Sequence, residues 1–291
     1  MAYPQPDSRS PAQGALMHVS CVARCFCLAL GLTLAAHSAG FAQPTGQQAP
    51  ASIPYDPSVG QQGKDVVWVP TSEALVEKML DLAQLKPDDT LIDLGSGDGR
   101  TVIAAAKRGA TALGIEYNPD MVALSKTRAA EAGVAERATF AVADLFASDF
   151  TRATVITMFL LPDINVRLRP QILDLAPGTR IVSNTFTMGD WEPDRQEAVT
   201  DCVSWCTALL WIVPAKVGGT WQTPDGALTL EQQFQNVTGT LGTTAIASGR
   251  LSGDQIQFQV GDVHYAGRVT GGAIEGTVSG GRTGTWSATR Q

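Results

Sequence analysis

The sequence predicts an α/β fold with a doubly wound, mainly parallel sheet, followed by an antiparallel all-β domain. Strand-like and helix-like segments alternate over residues 63–215, which is typical of a parallel sheet covered by helices on both faces. The last two apolar segments of this part predict a closing hairpin, which brings the sheet to seven strands. From Gly218 onward, where 15 of the 29 glycines lie, helical periodicity is lost and turn signals separate short strands. A small β-barrel, meander or sandwich of seven or eight strands is therefore expected over 216–291.

Apolar spacing locates the individual elements of the α/β part. The first helix has an apolar stripe from Leu75 to Ala83, and Thr71 or Ser72 can cap its start. A later helix begins at Pro119, where proline suits the first turn. Another helix precedes the last parallel strand, and Pro170 is expected to kink or restart it. The remaining expected elements are a helix at 100–109 and strands at 90–94, 110–117, 138–144, 154–161 and 179–186.

Two segments precede the α/β part. Residues 1–42 have the pattern of a secretory signal peptide, because Arg24 precedes a short apolar stretch and small residues lead to a cleavage site expected after Ala42. The stretch is too short for a transmembrane helix. This pattern predicts an exported or periplasmic protein; a wrongly assigned start site would make the protein cytoplasmic instead. Residues 43–62 are rich in Pro, Gln, Gly and Ser, which predicts a linker.

Charge and composition argue against several classes of function. A net charge of −7 and a pI near 5.0 do not favour DNA or RNA as a partner. After removal of the predicted signal only His264 remains of the three histidines, which argues against a histidine-based triad and a His-rich metal site. Cys202 and Cys206, in CVSWC, offer too few ligands for zinc. They form either a disulfide in an oxidising compartment or two separate thiols.

The segment DLGSGDG, which begins at Asp93, joins a predicted strand to a predicted helix. Such a turn presents free backbone N–H groups at the helix start, as a nucleotide-like ligand requires. It lacks the Lys-Ser or Lys-Thr ending of a P-loop. The spacing of Gly95, Gly97 and Gly99 also differs from the dinucleotide fingerprint, and the carboxylates of Asp93 and Asp98 would repel a pyrophosphate. The expected ligand is cationic at this point and rich in hydroxyl groups.

Two further acidic residues end the next two predicted strands. Glu116 follows the glycines by about 20 residues, the distance at which a carboxylate can accept hydrogen bonds from both ribose hydroxyls. Asp144 ends the third strand, in VADLF. Because the carboxyl ends of parallel strands open into one crevice, we expect both acids to lie beside the glycine turn.

This set of residues resembles the class I S-adenosylmethionine-dependent methyltransferases. DLGSGDG is similar to their first motif, IEYN to their ribose-binding segment and ADLF to their adenine-side segment. The resemblance implies a Rossmann-like methyltransferase fold with S-adenosylmethionine as cofactor and without a metal. It also implies that the glycine turn approaches the methionine and ribose, that Glu116 holds the ribose, and that Tyr117 or Met121 stacks on the adenine. The cofactor-binding residues implied are Thr71, Asp93, Gly95, Ser96, Gly97, Asp98, Gly99, Glu116, Tyr117, Asn118, Met121, Asp144, Leu145 and Phe146.

A narrower resemblance comes from the segments around these motifs. WVPT at 68–71 precedes the first helix, and GTRIVSNTF at 178–186 is followed by GDW. These segments are similar to the protein lysine methyltransferases that include the ATP synthase c-subunit and ADP/ATP carrier enzymes. The resemblance implies a lysine of a protein as methyl acceptor. The all-β domain departs from that family's pattern, so its role is open.

The acceptor is expected at the end of the fourth strand, in MFLLPD. Transfer requires in-line alignment and a neutral amine, and an apolar channel can favour the neutral form without a strong base. Phe159 and Pro162 can shape such a channel and Asp163 can orient the amine; alternatively Asp163 caps the following helix. Trp68 can close over the cofactor, and Trp191 either lines the acceptor mouth or packs in the core.

Three functions are compatible with the sequence. The first is methylation of a protein lysine. The second is methylation of a small molecule, with the all-β domain as a lid. The third is a module that binds a nucleoside or S-adenosylmethionine without turnover, while the all-β domain recognises an envelope partner.

Overall fold

The structure is a computed structural model, and it describes residues 55–200 and 202–291. The predicted signal peptide and residues 43–54 of the predicted linker lie outside the described residues. All described residues belong to one compact unit. Within them, no helix has the length and apolar character needed to cross a membrane.

The α/β part contains a seven-stranded sheet whose order is β3-β2-β1-β4-β5-β7-β6. Strands β1 to β5 are parallel, and β7 runs antiparallel to β5 and β6. The closing hairpin and the doubly wound fold class are thus confirmed. The strands are β1 (Thr90–Leu94), β2 (Thr111–Glu116), β3 (Ala138–Val142), β4 (Val155–Met158), β5 (Arg180–Asn184), β6 (Arg195–Ala198) and β7 (Thr207–Ile212).

Helices cover both faces of this sheet. Buried side chains of the first three helices form a core on one face, and those of the fourth helix form a core on the other. Ser72 rather than Thr71 caps the first helix, because its hydroxyl accepts a hydrogen bond from the Leu75 N–H. The helices are α1 (Glu73–Leu82), α2 (Arg100–Lys107), α3 (Pro119–Glu131) and α4 (Pro162–Leu173).

The helix α4 continues through Pro170, contrary to the prediction that proline would kink or restart it. Proline at this position cannot donate a hydrogen bond to the carbonyl group of Val166, one turn earlier. Both Pro170 and Val166 are exposed, so water can satisfy that carbonyl group. The core-facing side chains Ile164, Leu168 and Ile172 keep the helix on the sheet.

Among the strands that end earlier than their apolar patterns predict, two lead into the same edge of the sheet. β4 ends at Met158, three residues before the predicted limit, and β3 ends at Val142 instead of Asp144. The Asp144 side chain accepts a hydrogen bond from the Phe146 N–H and starts a short 3₁₀ turn. These early ends turn Asp144 and Phe159 into loop residues at one edge of the sheet.

The C-terminal part is an antiparallel barrel. Eight of its nine strands close the barrel through the β9–β10 pairing, and the two-residue β11 pairs with β10 alone. Phe258, Tyr265 and Trp286 meet inside with ring centroids 4.8–5.4 Å apart. The strands are β8 (Gly219–Thr223), β9 (Gly226–Gln233), β10 (Asn236–Leu241), β11 (Thr244–Ala245), β12 (Ala247–Ser252), β13 (Gln255–Val260), β14 (Val263–Thr270), β15 (Ala273–Gly280) and β16 (Gly284–Arg290).

Trp191 joins the barrel to the α/β part. Its side chain is fully buried, its ring stacks on Phe234 at 5.7 Å, and its Nε1 donates a hydrogen bond to Oε1 of Gln235 at 2.8 Å. Arg250 adds an ion pair to Asp194 at 2.7 Å. Trp191 therefore belongs to the core between the two parts, and the alternative that it lines the acceptor mouth is wrong.

This position predicts that Trp191→Ala destabilises the protein without altering a binding site. Loss of a fully buried indole and its hydrogen bond should lower the free energy of unfolding by about 3–5 kcal/mol, measured by urea denaturation. Val59→Ala, at an exposed side chain, should change it by less than about 0.5 kcal/mol. A Trp191→Ala protein as stable as the wild type would contradict this placement.

Candidate cofactor and acceptor site

A cavity of about 220 Å³ opens at the carboxyl ends of β1, β2 and β4. The strand order reverses between β1 and β4, and this is the place where open α/β sheets bind ligands. Residues 61–71 cover one side of the cavity, and the glycine turn forms its floor. Of the predicted cofactor-binding residues, those that line it are Thr71, Asp93, Gly95, Ser96, Gly97, Asp98, Glu116, Tyr117, Asn118, Met121, Asp144 and Leu145.

The backbone at Gly97 and Gly99 leaves no room for a side chain at either position. Gly97 and Gly99 adopt φ of +51° and +81°, in the left-handed region that favours glycine. A Cβ atom at Gly97 would lie 2.6 Å from Nε1 of Trp68, and one at Gly99 would lie 2.8 Å from the Ser125 side chain. Gly99 caps the start of α2 and is not among the residues that line the cavity. It packs against Ser125 of α3.

Two backbone hydrogen bonds fix the Glu116 carboxylate. Its Oε2 accepts from the Gly97 N–H and its Oε1 accepts from the Asn118 N–H, each at 2.9 Å. The carboxylate therefore joins the end of β2 to the glycine turn and lies at the cavity wall. A carboxylate held in this way can still accept hydrogen bonds from a pair of hydroxyl groups, because each oxygen has two acceptor sites.

Asp93 is the most strongly perturbed acid of the site. Burial, together with the negative charges of Glu116 and Asp98, raises its pKa to about 7, although a hydrogen bond from the Thr157 hydroxyl at 2.7 Å opposes the shift. Asp93 lines the cavity although only 6% of it is exposed. A cationic ligand group beside it would favour the ionised form.

Asp98 has partners within the protein instead. Arg100 and Arg128 both contact its carboxylate, and together they hold its pKa below the usual range although burial opposes this. Arg100 Nη1 also donates a hydrogen bond at 2.7 Å to the carbonyl oxygen of Thr71. Asp98 therefore ties the glycine turn to α3 and to the segment before α1.

The N-terminal hairpin, residues 60–68, lies over the side of the cavity that Tyr117 and Asp144 line. The Trp68 N–H donates to the Gln61 carbonyl oxygen at 2.9 Å and the Gly60 N–H donates to the Trp68 carbonyl oxygen at 2.8 Å, which closes the hairpin. The Lys64 Nζ lies 2.7 Å from the Asp144 carboxylate and 4.7 Å from the centre of the Tyr117 ring. The Lys64 hydrogen bond lowers the pKa of Asp144. Gln61 and Gln62, which composition assigns to a linker, are thus part of the cavity wall.

Phe146 is not part of the cavity. Its ring lies 3.8 Å from the guanidinium carbon of Arg167 and is absent from the cavity wall, whereas Leu145 lines it. The structure therefore places Leu145, and not Phe146, at the cavity wall. The cause is the 3₁₀ turn after Asp144, which directs successive side chains to different sides of the chain.

The opposite end of the cavity is apolar. Its wall there consists of Phe159, Leu160, Leu161, Ile164 and Trp205, none of which carries a charge. Phe159 therefore occupies the position expected for an acceptor channel.

Pro162 and Asp163, the other two predicted acceptor residues, do not line the cavity. They form the exposed first turn of α4, and Leu161 rather than Asp163 occupies the position that caps the helix. The prediction that they contact the acceptor is not supported by their placement.

Sequence reasoning missed Trp205, Lys64 and Arg100. Trp205 reaches the cavity because the disulfide between Cys202 and Cys206 closes a turn between β6 and β7. The only signal was its position inside CVSWC. Lys64 and Arg100 act through partners 80 and 29 residues away in sequence, so local patterns could not reveal them.

Comparison with known proteins identifies related chains. A family model described as the ANTKMT methyltransferase domain matches residues 93–195. A protein-lysine N-methyltransferase of Saccharolobus islandicus is 38% identical over 151 residues, which cover 51% of this chain and 94% of that protein. The lysine N-methyltransferase of the ATP synthase c-subunit from Mus musculus is 37% identical over 129 residues. That match covers 44% of this chain and 52% of the relative, so the chain spans about half the length of the mouse protein.

One solved structure adds a relative with a different description. It is an RNA methyltransferase from Salinibacter ruber in complex with S-adenosylhomocysteine, with 44% sequence identity and a TM-score of 0.48. The match covers 51% of this chain and 96% of that chain.

The raised pKa of Asp93 predicts pH-dependent binding of a ligand whose cationic group faces it. Affinity for S-adenosylmethionine should fall by up to about tenfold per pH unit below 7, because protonation removes the charge that attracts the cation. Asp93→Asn should bind more weakly at pH 8 and lose most of this dependence. Calorimetric titration between pH 5.5 and 8 measures both effects.

Glu136→Gln, at an exposed acid remote from the cavity, provides the control and should keep the wild-type profile.

The raised pKa of Asp93 affects the stability of the ligand-free protein in the opposite direction. The folded state holds the Asp93 proton more tightly than the unfolded chain, so this group's contribution to stability should decline from about pH 4 to pH 7. A flat binding profile for the wild type would contradict the assigned role of Asp93.

Proposed function

We propose that this chain, which belongs to the family of protein-lysine N-methyltransferases and uses S-adenosylmethionine, transfers a methyl group to a lysine side chain of a protein. The observation that carries the proposal is the uncharged acceptor end of the cavity, beside Phe159. A lysine side chain has a long apolar stem and an amine that must be neutral to react. An apolar wall suits both requirements.

When bound, S-adenosylmethionine supplies an electrophilic methyl group. The residues of this chain orient it: the Glu116 carboxylate accepts hydrogen bonds from the ribose hydroxyls and Asp93 faces the cationic methionine end. A lysine amine has a pKa of about 10.4, so its neutral form costs roughly 4–5 kcal/mol at pH 7. Phe159, Leu160 and Ile164 exclude water from the amine, which lowers its pKa and lets the proton leave to solvent at the mouth.

Exposed apolar side chains near the mouth support a protein rather than a metabolite as acceptor. Leu161, at the N-terminal cap of α4, lines the cavity and is 46% exposed. Trp205, in the disulfide turn, also lines the cavity and is 41% exposed. Large apolar groups that gather on a surface are typical of protein interaction sites. A net charge of −7 does not favour an RNA acceptor.

Transfer of labelled methyl groups tests the proposal. The full chain is incubated with methyl-labelled S-adenosylmethionine and separately with protein, RNA and small-molecule fractions of the source cells. The label should enter protein and be released by acid hydrolysis as Nε-methyllysine. Phe159→Ala should lower kcat/KM by about ten- to a hundredfold, because the amine loses its alignment, while the Kd for the cofactor changes little.

Val142→Ala, at an exposed position of the edge strand β3, is the control and should keep wild-type activity. Label in RNA or in small molecules, with none in protein, would replace the lysine proposal by one of those acceptors. Cofactor binding without transfer to any fraction would favour the non-catalytic module.

We also propose that the protein acts outside the reducing cytoplasm. The Cys202–Cys206 disulfide supports this, because such bonds persist in oxidising compartments. The signal-like start, outside the described residues, is a second argument. Mass spectrometry of the protein isolated from its cells should find a mature N-terminus near Gln43. A chain that begins at Met1 or Ala2 would contradict export.

A further inference from the structure

Three aromatic side chains meet at the acceptor end of the cavity. The rings of Phe159 and Phe186 are stacked with centroids 5.7 Å apart. The Trp205 indole meets Phe159 at 5.9 Å with an interplanar angle of 63°. Phe159 and Trp205 line the cavity, and Phe186 supports Phe159 from outside it. Two aromatic surfaces thus form a corner at the place where an acceptor side chain would enter.

The support of Phe159 is built by hydrogen bonds to the backbone of Phe186. The Phe186 carbonyl oxygen accepts from the Ser183 hydroxyl at 2.7 Å and from Nδ2 of Asn165 at 3.3 Å. Asn165 and Ser183 are both fully buried. The Phe186 ring is therefore held by β5 and α4, and it limits the movement of Phe159.

Trp205 is held by a different constraint, a disulfide. It lies between Cys202 and Cys206 with φ of +54°, in the left-handed region that residues with a side chain avoid. Such a conformation persists where the surroundings impose it. The disulfide closes a turn of five residues, and this constraint keeps a side chain that is 41% exposed directed at the cavity.

An aromatic corner at this position matches the charge that methyl transfer creates. The lone pair of the acceptor nitrogen forms the N–CH₃ bond while the S–CH₃ bond breaks. Positive charge therefore moves from sulfur to nitrogen, and S-adenosylhomocysteine remains. The face of an aromatic ring attracts cations, Trp most strongly. Since the acceptor wall, as far as the described residues form it, offers no carboxylate, ring faces are the groups there that can stabilise this charge.

We propose that Trp205 is an acceptor-binding residue: with Phe159 it forms an aromatic corner for the amine-bearing side chain, and the Cys202–Cys206 disulfide holds it in place. This inference rests on the proposed methyl transfer to an amine and adds the residues that recognise it. Reduction of the disulfide frees the turn, moves the indole away and weakens acceptor binding without affecting the cofactor.

The test uses two analogues of S-adenosylmethionine in which nitrogen replaces the sulfonium. One carries a short aminoalkyl arm that places an amine where the acceptor nitrogen would lie, and the other carries a methyl group. The ratio of their Kd values, measured by calorimetry on the full chain, reports binding at the acceptor end of the cavity separately from binding of the cofactor part. The wild type should favour the arm. Trp205→Ala should reduce this ratio by about two- to tenfold and leave the Kd of the methyl analogue unchanged, whereas Trp205→Phe should retain most of it.

The disulfide is tested in the same way. Cys202→Ser combined with Cys206→Ser, or a thiol reductant added to the wild type, should reduce the ratio as Trp205→Ala does. Ser204→Ala, an exposed position in the same turn, should not. A reductant should have no further effect on Trp205→Ala. If reduction leaves the wild-type ratio unchanged, the positioning role of the disulfide is wrong.

The outcomes separate this inference from the proposed function. If the wild type favours the arm and Trp205→Ala favours it equally, the aromatic corner is wrong while the acceptor channel stands. If an arm that ends in a hydroxyl group gains as much affinity as the amine, recognition of the charged nitrogen is wrong. If the wild type binds neither analogue, the cofactor site itself fails. If it binds both equally, the acceptor channel and the corner fail together.

Discussion

The hydrogen bond from the Gly97 N–H to the Glu116 carboxylate is the contact on which the site depends. It joins the end of β1 to the end of β2. It requires glycines in the turn, because a side chain there would keep the backbone away from its neighbours. Trp68 and Ser125 pack so closely against Gly97 and Gly99 that a Cβ atom at either position would collide with them. The buried Asp93 lies at the same cavity wall, and its pKa of about 7 makes the binding of a cationic ligand dependent on pH.

One part of the cavity is polar and the other is apolar, and the two parts suit different groups of the reactants. Carboxylates surround the glycine turn, while Phe159, Leu160 and Ile164 form an uncharged wall at the end of β4. A ligand with a hydroxyl-rich part and a cationic part fits the first region, and an alkyl amine fits the second. The barrel contacts the α/β part through residues that include Trp191, Gln235 and the Asp194–Arg250 pair, and none of these four residues lines the cavity.

Local patterns predicted the parts of the fold that depend on local forces. The limits of β1 match the prediction, as do the hairpin and the antiparallel C-terminal part. The errors arise where distant residues decide the outcome. Pro170 remains in α4 because contacts of Ile164, Leu168 and Ile172 with the core hold that helix on the sheet.

The same distinction between local patterns and distant contacts applies to the site. The glycine turn and the acids beside it were found from spacing, whereas Trp205 reaches the acceptor wall through a disulfide that the sequence left as one of two alternatives. Ring contacts between Phe159, Phe186 and Trp205 join three separate loops, and no local period encodes them.

A crystal structure of the chain with S-adenosylhomocysteine tests the central claim most directly. The account predicts that both ribose hydroxyls contact the Glu116 carboxylate, that the amino group of the ligand faces Asp93, and that its sulfur points toward Phe159 and Trp205. A ligand whose sulfur points away from that corner, or one bound outside this cavity, would contradict the assignment of cofactor and acceptor to its two ends.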